Sequence, residues 1–192
     1  MSESPLRLGT RKPASNLPLE LAELHRTLRQ GDHLVCHLQP VPDGHWNHQL
    51  ALDLVVGAGF EALRGPVTVG CAIELHLRRT YSLSDTVAAG MRLLVVGLNP
   101  SPYSSDQGVG YARPGNRFWP AALASGVASV DREPDHALEH HGLGMTDLVR
   151  RTTVRANQVD PKEFVDGFAR VERLVEWLTP KACCFVGLSG WR

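Results

Sequence analysis

Arg92 to Leu98 (RLLVVGL) constrains this chain more than any other stretch, an apolar run that ends in Asn99-Pro100-Ser101-Pro102. So short a continuous run, closed by proline, predicts a strand buried on both faces, as parallel sheets require. Parallel neighbours need crossover helices, and the flanking sequence offers them. Gly144 to Val149 (GMTDLV) and Ala182 to Val186 (ACCFV) read as further buried strands. Pro161 to Leu178 is an amphipathic helix that sets Phe164, Phe168, Val171, Leu174 and Val175 on one face. Asn116 to Ser125 (NRFWPAALAS) starts another helix, after a Gly- and Pro-rich loop that runs through Gly115. The expectation is an α/β fold.

Upstream, residues 1–16 mix Ser, Pro, Arg and Gly without apolar periodicity and read as a loose lead-in. Leu17 to Arg29 spaces Leu21, Leu24 and Leu28 as a helix does, with Pro18 in its first turn and Gly31 after its end. His33 to Gln39 reads as a strand, Gln49 to Phe60 as a second helix, and Val67 to Arg78 as a long strand or hairpin. Ser82 to Gly90 is a small polar connector.

Lys+Arg and Asp+Glu are 20 each, so the formal charge is zero. Contact with nucleic acid must then come from a local patch rather than from whole-chain attraction. No apolar run approaches the ~20 residues that span a bilayer. Cys36, Cys71, Cys183 and Cys184 form no CxxC pair and read as free thiols of a cytoplasmic protein. Histidines recur at His33/His37, His45/His48 and His136/His140/His141, without HExxH or a cysteine partner, so no metal is expected.

The loop after Asn99 sits where open α/β sheets bind ligands, at the C-terminal end of a strand. It offers an amide (Asn99), hydroxyls (Ser101, Ser104, Ser105), an exposed aromatic (Tyr111), a cation (Arg113), and backbone freed by Gly108, Gly110 and Gly115. An amide can orient a water, an aromatic can stack on a flat ring, and loop N–H groups can receive an anion. Taken alone, Asn99-Pro100 reads more readily as a simple turn.

The longer string GLNPSPYSSDQGVGYARPGNRFWPAALASG, with GLGMTDLVRRTTVRANQV and KEFVDGFARVERLVEWLTPKACCFVG, resembles the mismatch-specific uracil/thymine DNA glycosylases of the uracil-DNA glycosylase superfamily. The resemblance covers 85–192. It implies a three-layer α/β/α parallel-sheet core and a monofunctional glycosylase that flips a mismatched pyrimidine from double-stranded DNA and hydrolyses its N-glycosidic bond. Asn99 stands at the family's catalytic asparagine, and Tyr111, twelve residues on, at the aromatic that stacks on the base. Gly97, Leu98, Pro100, Ser101 and Ser104 then belong to the pocket, Asn116 to the PGNRFW element that supports it, and Thr153 to a pocket-side TT motif. No cofactor is implied, and the protein is expected to be a monomer. The only lysines, Lys12, Lys162 and Lys181, lie away from the loop, which argues against a Schiff-base lyase.

Asp147 departs from the family, whose members often carry an amide or amine there. As a carboxylate it only accepts hydrogen bonds, favouring a base edge that presents donors; otherwise it caps or pairs with Arg150 or Arg151. Arg113 and Arg151 are candidate phosphate contacts. Trp119, Phe118 and Trp177 read as core.

The chain ends soon after Phe185, with the next crossover barely begun. The expectation is therefore a core incomplete at its C-terminus, without the family's second, duplex-penetrating motif. Residues 17–84 (LELAELHRTLRQGDHLVCHL, a helix ending AGF, and VTVGCAIELHLRR) are similar to the C-terminal part of class I S-adenosylmethionine methyltransferases. The cofactor-binding half is absent, so no methyl transfer is implied. Two alternatives remain at this point: a truncated remnant of a methyltransferase–glycosylase fusion, unstable or binding DNA without turnover, and a small-molecule nucleobase or nucleotide binder that uses the same loop without DNA.

Overall fold

A computed structural model describes residues 5–187. The chain forms two compact units, Met1–Thr80 and Tyr81–Arg192.

In the first unit, β2 (His33–Leu38) lies beside β5 (Ala72–Arg79), antiparallel, with Cys36 opposite Leu75. β3 (Phe60–Ala62) pairs with the far side of β5, and β4 (Val67–Val69) folds onto it as the expected hairpin. β1 (Leu6–Leu8) adds a parallel strand to β2, and a 3-10 turn follows at Ala14–Asn16. Residues 1–16 are therefore not a loose lead-in where they are described. Backbone pairing of Leu6–Leu8 to β2 and burial of Ala14 tie them down without any side-chain periodicity. Two helices pack here, α1 (Leu17–Thr27) and α2 (His48–Gly57). The latter stops short of Phe60, because Gly59 takes φ +85° and turns the chain into β3.

The second unit is a parallel three-stranded sheet in the order β7-β6-β8. β6 (Leu93–Gly97) is central, between β7 (Leu143–Asp147) and β8 (Cys183–Phe185). Val95 stands opposite Met145, and Gly97 opposite Asp147. Alternation sends Val95, Leu143 and Met145 to one face, where they form a core with Trp119 and Ala122 of α4 (Phe118–Ala124) and Ala137 of α5 (Pro134–His141). Gly144 and Thr146 point to the other face, where α6 (Pro161–Leu178) reaches Thr146 through Arg170. Helix, sheet, helix is the three-layer order expected.

Four local expectations change. The loop after Asn99 contains a helix, α3 (Pro102–Gln107), started by Ser101 as N-cap and stopped by Gly108 at φ +66°. α5 was hidden in a polar stretch, PDHALEHH. On α6 the buried line is Gly167, Arg170, Val171, Leu174 and Leu178, while Phe168 is 52% exposed. β8 is present, but Cys183 and Cys184 are exposed, since β8 pairs on only one side among the described residues. The chain end, where a further crossover was expected, lies at 188–192, outside the described residues. No helix among the described residues is long and apolar enough to cross a membrane.

Candidate functional site

The ends of β6 and β7 are laced together beyond the sheet. Leu148 N donates to Gly97 O (2.9 Å), Val149 N to Leu98 O (2.9 Å), and Thr153 N to Pro100 O (3.1 Å). These bonds set the chain from Asn99 beside the chain from Leu148, and a cavity of about 230 Å³ opens between them, α3 and the 108–116 loop. That is below the ~300–1,000 Å³ of pockets for drug-sized ligands, and suits a single heterocycle.

Asn99 stands at the rim, half-buried. Its Nδ2 donates to the carbonyls of Pro100 (3.2 Å) and Arg151 (3.1 Å) and to Thr153 Oγ1 (2.8 Å). Thr153 Oγ1 spends its own proton on the Arg155 carbonyl (2.9 Å), so toward Asn99 it can only accept. With acceptors on that side, the amide cannot be flipped, and Oδ1 is the atom left for the cavity.

Tyr111 is half-buried rather than exposed. Its backbone sits at φ +58°, a strained conformation for a tyrosine, and its ring stacks on Phe118 with centroids 4.3 Å apart. The hydroxyl is buried without a hydrogen-bond partner among the described residues. Burial, then the nearby Asp147 and Cys184, push its pKa up. Phe118 in turn meets Trp119 edge-on, and Trp119 Nε1 donates to Gly110 O (2.8 Å), so the aromatic wall is fixed to the loop.

Gly97 does not itself line the cavity, but it packs against two residues that do, Asp147 and Tyr111. A Cβ there would fall 2.1 Å from Asp147 Oδ1 and 2.7 Å from the Tyr111 hydroxyl, so only glycine lets these two groups converge. Burial raises the Asp147 pKa to about 6, against the pull of Arg150 and Arg170 and with a contribution from Asp85.

Of the residues singled out from sequence, Asn99, Pro100, Ser101, Ser104, Tyr111, Arg113, Asn116 and Asp147 line the cavity. Ser101 caps α3 and bonds Ser104 Oγ (3.1 Å), and Asn116 Oδ1 accepts from Phe118 N (2.9 Å). Leu98 and Thr153 stand behind the wall, Thr153 acting through Asn99. Arg113 is exposed at the rim. Arg151 makes a two-pronged pair with Glu163 (2.8 and 2.7 Å) and a bond to Gln158 O, away from the cavity. Sequence reasoning passed over Ser84 and Thr86, which line the cavity from the connector. Thr86 is held by a two-way backbone bridge to Met145, a pairing that no periodicity announces.

The family model described as "Uracil DNA glycosylase superfamily" matches residues 84–192, more than half of the chain and the whole of this cavity's lining apart from Leu83.

Proposed function

The chain belongs to the uracil DNA glycosylase superfamily, and from that premise we propose that it is a monofunctional, mismatch-directed glycosylase of base-excision repair, removing uracil or thymine opposite guanine. The observation that carries the reading is the Asn99 amide, pinned through Nδ2 with Oδ1 left for a ligand. Oδ1 accepts a hydrogen from a water and aims the water's lone pair at the sugar carbon. The glycosidic bond lengthens first, so the cation-like sugar needs a placed water more than a strong base, and placement is what a rigid amide supplies. The extruded base enters a single-ring cavity and lies against the Tyr111–Phe118 wall. Backbone N–H groups of the turn after Asn99 receive the departing negative charge. The Asp147 carboxylate accepts a hydrogen from the base edge, which suits the N3–H of uracil or thymine. Arg113 at the rim meets a phosphate. The helix, strand and closing-hairpin order of the first unit supports reading residues 17–84 as a methyltransferase-like tail without methyl transfer.

The test is single-turnover base release from a G·U duplex, with Asn99→Ala as control and circular dichroism to confirm folding. Release by the native chain, slowed about 10²-fold or more in Asn99→Ala, is expected. Folded protein that releases no base, or an equally active Asn99→Ala, overturns the reading.

A further inference from the structure

Arg170 is the residue on α6 that its sequence pattern does not explain. Its neighbours on the buried line are Gly167, Val171, Leu174 and Leu178, and the residue is only 4% exposed. An aliphatic side chain would suit that line, and a buried cation is costly unless its donors are matched. Here Nη1 donates to Asp85 Oδ2 (2.8 Å), while Nη2 donates to Thr146 Oγ1 (2.9 Å) and to the Asp147 carbonyl (2.8 Å). Asp85 completes the array, its Oδ1 accepting from Thr146 Oγ1 (2.7 Å) and Arg150 Nη1 (2.7 Å). Gly167 makes this reach possible. A Cβ there would fall 2.0 Å from Leu148 O, so the helix backbone lies directly against the chain leaving β7, one turn before Arg170.

Arg150, in the chain after β7, and Arg170 of α6 draw the Asp147 carboxyl toward its charged form, and Asp85 of the connector acts against them. The neutral Tyr111 hydroxyl stands close by, with Cys184 of β8 acting on Tyr111 in turn. Both guanidinium groups also donate to the Asp85 carboxylate. Because Arg170 approaches from the opposite face of the sheet, it does so without occupying the cavity.

We propose that Arg170 is a positioning residue for the base pocket: one guanidinium fixes the end of β7 to Asp85 and, with Arg150, keeps the Asp147 side chain a hydrogen-bond acceptor toward the bound base. The base selected is then one whose edge presents an N–H donor. The role in base selection rests on the glycosylase reading above; the electrostatic linkage does not.

The full chain, labelled at the aspartate carboxyl carbons, is titrated by NMR, with Asp147→Asn assigning the resonance. Arg170→Gln moves the Asp147 midpoint upward by about one pH unit, Arg170→Lys returns most of that shift, and Asp85→Asn moves the midpoint downward. A merely structural Arg170 lowers thermal stability and leaves the midpoint in place, and that result in folded Arg170→Gln overturns the proposal. If Arg170→Gln does not fold, Asp85→Asn decides, and a midpoint that fails to fall is equally fatal. In base-release assays the acid limb for G·U shifts with the midpoint. Absence of release by the native chain defeats the glycosylase reading alone, because the titration is read without turnover.

Discussion

The amide nitrogen of Asn99 stands 2.8 Å from the hydroxyl oxygen of Thr153, 54 residues later in the chain. That oxygen is a committed acceptor, since its proton goes to the Arg155 carbonyl. Thr153→Val keeps the side-chain shape and removes the acceptor, freeing the amide to rotate. A neutral hydrogen bond contributes ~0.5–1.5 kcal/mol, so base release should slow by up to about tenfold with the fold intact. Thr153→Ser should restore it. Single-turnover rates for the three proteins, beside their melting curves, check this; a native rate in folded Thr153→Val counts against the positioning role.

Asp147 should cost the protein stability at neutral pH. Its folded pKa, about 6, lies above that of an unfolded aspartate, so the folded state holds the proton more tightly. Stability therefore rises as pH falls from about 6 toward the unfolded value, and the penalty is complete above 6. Asp147→Asn should stabilise by on the order of 1–3 kcal/mol at pH 7.5, with the gain disappearing by about pH 4. Urea unfolding of both proteins at a series of pH values reads the difference directly. A pH-independent difference would show that the carboxyl is not the cause.

The scaffold was legible where burial imposes a period. RLLVVGL and the helix Pro161–Leu178 announce themselves because each buries a whole strand or stripe. The site was half legible. Asn99, Tyr111 and Asp147 follow a linear string, but what holds them does not. Arg170 is buried on a line where periodicity calls for aliphatic residues, and only Asp85, 85 residues away, makes that burial tolerable. Residues 102–107 form a helix inside a loop rich in Gly and Pro, and the Ser101-Pro102 cap is a local signal that the composition masked. Thr86 reaches the cavity through backbone pairing alone, which no side-chain pattern encodes.

Arg113 and Arg151 should separate in their response to salt. Arg151 is paired with Glu163, whose pKa that pairing holds down at about 2, whereas Arg113 is exposed at the cavity rim. If Arg113 meets a phosphate, Arg113→Ala lowers the slope of log K against log salt by about one. Arg151→Ala should leave that slope near its native value. Binding of a duplex carrying a non-cleavable uridine analogue, measured at several salt concentrations, gives both slopes. Equal slopes for the two variants would place the phosphate contacts elsewhere.

Two glycines should fail in different ways when given a methyl group. Gly97→Ala puts a Cβ 2.1 Å from Asp147 Oδ1 and 2.7 Å from the Tyr111 hydroxyl, both ends of side chains that line the cavity rather than backbone. The fold should survive while the pocket fills, so base release falls steeply and stability changes little. Gly167→Ala instead drives a Cβ to 2.0 Å from Leu148 O and 2.7 Å from Leu148 C, which are backbone atoms with nowhere to go. α6 must move outward, at a cost of about 1–3 kcal/mol. Arg170 moves with it, and the Asp147 carbonyl loses its donor. Gly167→Ala should therefore lose stability and activity together, whereas Gly97→Ala loses activity alone. Melting temperature and single-turnover release, measured on the same preparations, distinguish the two. A stable, active Gly97→Ala would remove the close approach of Asp147 and Tyr111 over Gly97 from the account of base binding.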